Sequence, residues 1–295
     1  MAILGQHFLH DARYLEQILQ AIPYTHWDDP VQMVEIGVGL GDLTTRLLGR
    51  LPKGLLAYEV DSKLAQRLRA CLDPSLLARL KLVVGDVMER KGVKDESQQT
   101  NYQVELFKGY PFALSAWGFL HSEPYFLVSN LPYYIATPII THALKDALCL
   151  GMVVMVQAEV GTKFCALSGS SDYGALSVLA ASVCHQRDYV FEVPPQAFNP
   201  PPKVQSAVIR LLKAPLSPYT HAPGIDVLEH VLKACFKANR KTLANNLKNT
   251  YPPAWVQAFL GQHGLSPTLR PHQLNPIHYL SLAYLSQNFT GERHG

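Results

Sequence analysis

At 295 residues the chain is long enough for one large or two medium domains. Hydrophobic residues make up 48% of it and charged residues 17%, a balance that supports a buried core and excludes a disordered or collagen-like chain. The 26 Lys and Arg against 23 Asp and Glu leave a net charge of +3, too weak to demand a polyanionic partner by itself. No run approaches the roughly 18 apolar residues of a membrane span. Met1 to Leu9 shows no basic stretch leading into an apolar one, so a cytoplasmic, non-membrane protein is expected. Cys71, Cys149, Cys165, Cys184 and Cys235 never fall in a CxxC pair, and the 12 histidines show no HExxH spacing. Five reduced packing cysteines and no metal are expected.

From residue 31 to residue 129, short apolar runs alternate with helical stretches. Gln32 to Ile36, Leu55 to Glu59, Leu80 to Val84 and Tyr125 to Val128 are predicted strands of a parallel α/β sheet covered on both faces. Ligands of such sheets lie beyond the carboxyl ends of the strands. The informative residues therefore follow each run: Gly37, Glu59, Asp86 and Asn130. The first run leads into Gly37-Val38-Gly39-Leu40-Gly41-Asp42, a glycine loop that opens a helix and lets a ligand approach the backbone. Its GxGxG spacing is not the dinucleotide GxGxxG, and Glu35 precedes it. Glu59 ends the second run, where an acid binds a ribose hydroxyl pair. Asp86 ends the third, where a carboxylate can accept from an adenine amino group. Two acids so placed, with no lysine poised for phosphates, point to S-adenosylmethionine over NAD or ATP. The plainer reading is that both acids cap helices.

Met88 to Glu123 breaks this rhythm, with a polar block (Lys91 to Gln103) and then an aromatic one (Phe107, Tyr110, Phe112, Trp117, Phe119). A stretch this long in a compact domain is usually functional or flexible. Asn130-Leu131-Pro132-Tyr133 follows the fourth run. The amino nitrogen of adenine is a poor nucleophile because its lone pair is delocalised into the ring, and hydrogen-bond acceptors at its two N–H groups counter this. The Asn130 side-chain oxygen and a carbonyl near Leu131, exposed because Pro132 forces an extended turn, are such acceptors, and Tyr133 is a surface for an extruded base. Asn-x-Pro is also an ordinary turn.

Gly151 to Gln157 reads as another buried strand, with Asp188 to Pro194 and Val204 to Leu212 as a final pair. Between these last two, Phe198-Asn199-Pro200-Pro201-Pro202-Lys203 is a rigid proline segment. It is expected to present Phe198 outward over the other face of the base, with Lys203 near a phosphate. The alternative is a core phenylalanine in a strand connection. Pro215, Ser217, Pro218 and Pro223-Gly224 mark a linker. Domains over 1–213 and 219–290 are therefore expected, the second all-helical. There Leu228, Val231, Leu232, Cys235, Phe236, Leu243 and Leu247 share one helical stripe, and helix continues in 255–260 and 276–285.

These motifs resemble the ribosomal RNA adenine dimethyltransferase family over nearly the whole chain. Gly5-Gln6-His7-Phe8-Leu9 is similar to the family's GQNFL, and Glu35 to Gly41 to its EIGxGxG. Asn130 to Tyr133 matches NLPY, Gln157 to Val160 resembles QxEV, and Tyr173 to Val178 resembles YGxLSV. Phe198 to Val208 matches FxPPPKVxSAV, and Arg240 to Leu247 resembles RRKTLRNNL. His7 stands where the family more often has Asn, and Met88 to Glu123 is longer than its usual spacer.

The resemblance implies a Rossmann-like methyltransferase domain with a small helical C-terminal domain. It implies S-adenosyl-L-methionine held by His7, Leu9, Gly37, Gly39, Glu59, Asp86 and Asn130, with catalysis at Asn130, Leu131, Pro132, Tyr133 and Phe198. The implied reaction dimethylates the amino nitrogens of two adjacent adenosines near the 3′ end of small-subunit 16S rRNA, with a role in ribosome biogenesis. The implied partner is the small ribosomal subunit, and the implied state a monomer. A large-subunit methylase conferring antibiotic resistance and a non-catalytic assembly checkpoint are the competing readings. Lys203, Lys233, Lys237, Arg240, Lys241 and Lys248 are candidate RNA contacts. Lys233, Lys237, Lys241 and Lys248 are expected on one helix face, which could equally be a solvated one.

Overall fold

The computed structural model describes residues 6–23, 31–89, 118–213 and 224–291. Gly5, most of the spacer after Met88 and the linker residues Pro215, Ser217, Pro218 and Pro223 lie outside the described residues. Two compact units emerge. One takes its described residues from Met1–Asn101, Ser115–Gly161 and Gln186–Lys213, the other from Thr162–His185 and Ala214–Gly295.

The first unit is built on a seven-stranded sheet. Its strands are β2 (Gln32–Ile36), β3 (Leu55–Glu59), β4 (Leu80–Val84), β5 (Tyr125–Asn130), β6 (Cys149–Gln157), β7 (Cys184–Val193) and β9 (Ser206–Lys213). Their order is β4-β3-β2-β5-β6-β9-β7. The first five are parallel, and β9 runs antiparallel to β6. The chain moves outward from β2 through β3 to β4, then returns to β5 on the other side of β2. That reversal opens a crevice beyond the carboxyl ends of β2 and β5. Central strands read as unbroken apolar runs because helices cover both faces, and Tyr125 to Val128 and Met152 to Val154 are fully buried.

Four helices place the ligand-side residues: α1 (Ala12–Ala21), α2 (Asp42–Arg50), α3 (Ser62–Cys71) and α5 (Ala136–Lys145), with α4 (Pro74–Leu77) a single turn. The Asp11 side chain caps α1 through the Arg13 amide, and Asp61 caps α3 through the amides of Lys63 and Leu64. The apolar faces of α1 and α2, with Leu15, Ile18, Leu47 and Leu48, join the core. A two-stranded ladder absent from the sequence expectations pairs β1 (Phe8–Leu9) with β8 (Phe198–Asn199), placing Leu9 opposite Phe198. Two residues carry no readable periodicity, so only the tertiary structure reveals this pair. One cysteine also departs from expectation: Cys71 is exposed, not a packing residue.

The second unit is helical: α7 (Ala175–Val183), α8 (Ile225–Cys235), α9 (Leu243–Leu247), α10 (Pro253–Gln262) and α11 (Pro276–Gly291), together with part of α6 (Ala158–Cys165). It recruits 162–185, which precedes the expected linker. The Phe236 ring accounts for this: it stacks on Tyr279 at 5.5 Å and meets Tyr173 edge-on at 6.4 Å.

The basic residues do not share one helix face. After α8 ends, the Asn246 side chain gathers a turn by accepting from the Ala238 amide and donating to the carbonyls of Ala238, Lys241 and Thr242. Thr242 then caps α9. Lys233 therefore lies on α8, Lys237, Arg240 and Lys241 on the turn, and Lys248 at the end of α9, all exposed. Two basic residues of β9 are held by partners of the same unit: Arg210, partly exposed, pairs with Asp188 at 2.7 Å, and buried Lys213 donates to the carbonyls of Ala143, Leu144 and Asp146.

Candidate active site

Beyond the carboxyl ends of β2, β3 and β5, the first unit holds a cleft with ≈ 1080 Å³ of empty space, part of it open to solvent. That is room for a nucleoside with an amino-acid tail. The glycine loop forms its floor. Gly37, Gly39 and Gly41 have φ of 76°, 55° and 93°, and a Cβ on Gly41 would lie 2.4 Å from Leu68 Cδ1. Glycine is required there on both counts.

Glu59 holds the loop in place. Its carboxylate accepts from the Gly39 amide at 3.1 Å and from the Asp61 amide at 3.0 Å, one bond per oxygen. A carboxylate has about four lone-pair sites, so two remain for ligand hydroxyls. Asp61, not Glu59, caps the following helix. Asp86 lines the same cleft and accepts from the Met88 amide at 2.8 Å through Oδ1, which leaves Oδ2 for a ligand donor.

Asn130, the last residue of β5, donates from Nδ2 to the His7 carbonyl at 3.4 Å, which leaves its Oδ1 to accept. Leu131 is 1% exposed, so it can offer a ligand only its main chain; its amide is tied to the Met155 carbonyl. The Pro132 carbonyl accepts from Ile135, and its ring lies against Gly37. Tyr133 is half-buried at the cleft wall, and its hydroxyl meets Ser206 Oγ at 2.5 Å. His7 Nδ1 lies 2.8 Å from the Pro200 carbonyl. A carbonyl only accepts, so Nδ1 carries the proton. The His7 and Tyr133 rings are 5.9 Å apart. Leu9 closes the same side.

Thus His7, Leu9, Gly37, Gly39, Glu59, Asp86 and Asn130 through Tyr133 all line one cleft. Phe198 does not. It is 3% exposed and packs in the core with Leu9 and Leu15, because pairing with β1 turns its ring inward. The expectation of an outward stacking ring is corrected: Phe198 supports the wall. Lys203 is exposed and lies outside the lining.

Several lining residues escaped sequence reasoning. Val60 and Val87 each follow an acid, a repeated acid-valine signal that was there to be read. Tyr134, 58% exposed beside the Asp86 and Glu59 carboxylates, had no such signal. Glu35 is buried at the floor, and its Oε2 has no hydrogen-bond partner. Burial pushes its carboxyl up to about 8; the Thr44 hydroxyl opposes the rise, and the Glu59 charge adds to it. Among the described residues, no three His, Cys, Asp or Glu side chains are grouped to hold a metal.

The family model for ribosomal RNA adenine dimethylase matches residues 2–285. The chain belongs to that family. A Helicobacter pylori (strain G27) protein named ribosomal RNA small subunit methyltransferase A is 42% identical over 260 residues, covering 84% of this chain and 82% of that one. A Campylobacter jejuni (strain RM1221) protein of the same name is 39% identical over 279 residues, covering 94% and 91%. The fold matches the crystal structure of a dimethyladenosine transferase from Plasmodium falciparum at a TM-score of 0.69, with 21% identity over 97% of this chain and 98% of that one. It also matches a 23S rRNA methyltransferase, ErmE, at 0.63, with 24% identity over 94% and 98%.

The cofactor of the family, S-adenosyl-L-methionine, fits the residues present. Glu59 and Asp86 offer acceptors for ribose hydroxyls and an adenine amino group, and the glycine loop leaves room for backbone approach. Among the described residues no helix is long and apolar enough to cross a membrane.

Proposed function

We propose that this family member transfers methyl groups from S-adenosyl-L-methionine to the amino nitrogens of two adjacent adenosines near the 3′ end of small-subunit 16S rRNA, giving N6,N6-dimethyladenosine. One observation carries the reading: the Asn130–Tyr133 turn opens onto the same cleft that Glu59 and Asp86 line, so a base presented there would share one cleft with a bound nucleoside cofactor.

Bound, S-adenosyl-L-methionine supplies an electrophilic sulfonium methyl. His7, Leu9, Gly37, Gly39, Glu59, Asp86 and Asn130 would hold it. The chain's own contribution is positioning and electrostatics. Asn130 Oδ1 and the Leu131 carbonyl each accept one N–H of the target amine, which draws its lone pair out of ring conjugation. Pro132 keeps that turn extended, and Tyr133 stacks on the extruded base. The amine proton leaves to water, so no side chain need act as base. After one methylation the nitrogen still has an N–H for one acceptor, which permits a second round.

Lys203, Lys233, Lys237, Arg240, Lys241 and Lys248 contact rRNA phosphates in this reading, 1–213 apart from 162–185 is the methyltransferase domain, and 219–290 together with 162–185 is the RNA-binding domain. The protein works as a cytoplasmic monomer on the small subunit, in ribosome biogenesis. Replacing Lys237 or Arg240 by Ala is expected to weaken subunit binding and to lower the salt slope by about one per residue.

The deciding experiment supplies labelled S-adenosyl-L-methionine to small subunits lacking adenine dimethylation, beside large subunits and naked RNA, and identifies the product nucleoside. Dimethyladenosine confined to the small subunit is expected. Label on the large subunit would overturn the substrate, and tight subunit binding without transfer would favour an assembly factor.

A further inference from the structure

Tyr133 lies on the turn after β5, where no ladder or helix fixes its orientation. A ring on such a turn swings about two side-chain torsions, and a platform that tilts presents its base at many angles. Two neighbours limit the swing. The His7 ring, 5.9 Å away, blocks one side without a directional bond. The other is Ser206 Oγ, 2.5 Å from the phenol oxygen, at the far end of the lever where a hydrogen bond best restrains tilt.

Ser206 is suited to this. It is 0% exposed, opens β9 and pairs with Gln157 across the β6–β9 ladder. Its hydroxyl is therefore as fixed as the sheet. A serine that merely filled core space would be better replaced by alanine, since a buried hydroxyl without a partner costs stability. Here the partner is the tyrosine that faces the cleft.

We propose that Ser206 is a positioning residue: its hydroxyl bond to Tyr133 holds the aromatic ring in the plane that receives the target base. The inference rests on the reading of Tyr133 as the base platform. It also gives the segment after the three prolines a task that Phe198, turned into the core, does not perform.

Four variants test it: Ser206→Ala, Tyr133→Phe, the two combined, and Tyr133→Ala. Each is assayed for kcat and KM on small subunits lacking adenine dimethylation, and for affinity to S-adenosylhomocysteine by calorimetry. Ser206→Ala and Tyr133→Phe remove opposite ends of one bond. Each is expected to lower kcat about tenfold, with KM and S-adenosylhomocysteine affinity within about twofold of the parent. The combined variant should be no worse than the poorer single one, because the bond is lost only once.

Parent-like kcat in Tyr133→Phe overturns the proposal, even where Ser206→Ala fails to fold. Additive losses in the combined variant, or a loss of S-adenosylhomocysteine affinity in Ser206→Ala, overturn it too, since Ser206 would then act by another route. Tyr133→Ala separates the two claims. If it transfers methyl groups like the parent, the platform reading itself falls and the positioning role with it. If it is crippled while Tyr133→Phe is not, the platform stands and only the positioning role fails.

Discussion

The two ends of β5 hold similar polar groups with opposite fates. At the amino end, Tyr125 donates to Asp146 Oδ2 at 2.6 Å, the same oxygen accepts from the Phe119 amide at 2.7 Å, and Oδ1 accepts from Leu148. Lys213 closes the group by donating to three carbonyls at the end of α5. Tyr125, Asp146 and Lys213 are all buried. At the carboxyl end, one Asn130 amide bond is made to His7 and the Oδ1 is left to accept, while Glu35 at the floor keeps an unpartnered oxygen. A network closed on itself specifies a fold; a network left open toward a cleft is available to a ligand.

The contrast breaks most visibly if the ends are exchanged in effect. Asn130→Ala is expected to lower kcat by about 10²–10³ while S-adenosylhomocysteine affinity stays within a few-fold and stability changes by less than about 1 kcal/mol. Transfer assays, calorimetry and urea unfolding read the three quantities; a parent-like kcat would contradict the acceptor role assigned to Asn130. Asp146→Ala, at the closed end, should do the reverse. Leaving the Tyr125 hydroxyl and the amides of Phe119 and Leu148 without an acceptor is expected to cost about 3 kcal/mol or more by urea unfolding. The folded fraction should keep the parent's kcat.

Two smaller effects sharpen the picture of the open end. Gly41→Ala forces a left-handed φ on a residue with a Cβ and drives that atom into Leu68. A loss of about 1–3 kcal/mol and a weaker hold on S-adenosylhomocysteine are expected, and an unchanged melting temperature would contradict it. Glu35→Gln tests the buried carboxyl at the floor. The Glu35 carboxyl is raised to about 8 in the folded protein against 4.5 ordinarily. Between those values the native chain keeps a proton that the unfolded chain has lost. Wild-type stability should therefore fall as pH rises from 5 to 8, at up to about 1.4 kcal/mol per pH unit from this group, and level off above. The variant should lose that part of the slope; equal slopes in both proteins, measured by urea unfolding across the range, would refute it.

The first four strands were legible because a covered parallel sheet demands continuous apolar runs, and the residues after each run, Gly37, Glu59, Asp86 and Asn130, were legible because such sheets bind at that edge. The glycine spacing and the Asn-Leu-Pro-Tyr turn are local chemistry, written in adjacent residues. What lies far apart in the chain was decided elsewhere. Residue separation hides the pairing of Leu9 with Phe198, which turned an expected outward ring into core. It hides the bond between Tyr133 and Ser206 as well, 73 residues apart.

Lys213 donates to carbonyls 67 to 70 residues away and Arg210 pairs with Asp188, 22 residues away, partners that no local pattern in the sequence marks. Basic spacing suggested one helix face until Asn246 folded a turn between α8 and α9. Sequence alone determined which chemical groups the protein owns and the order in which the sheet delivers them. Only the tertiary structure decided which of those groups are consumed by one another and which remain for a ligand, because hydrogen bonding and burial depend on neighbours in space, not on neighbours along the chain.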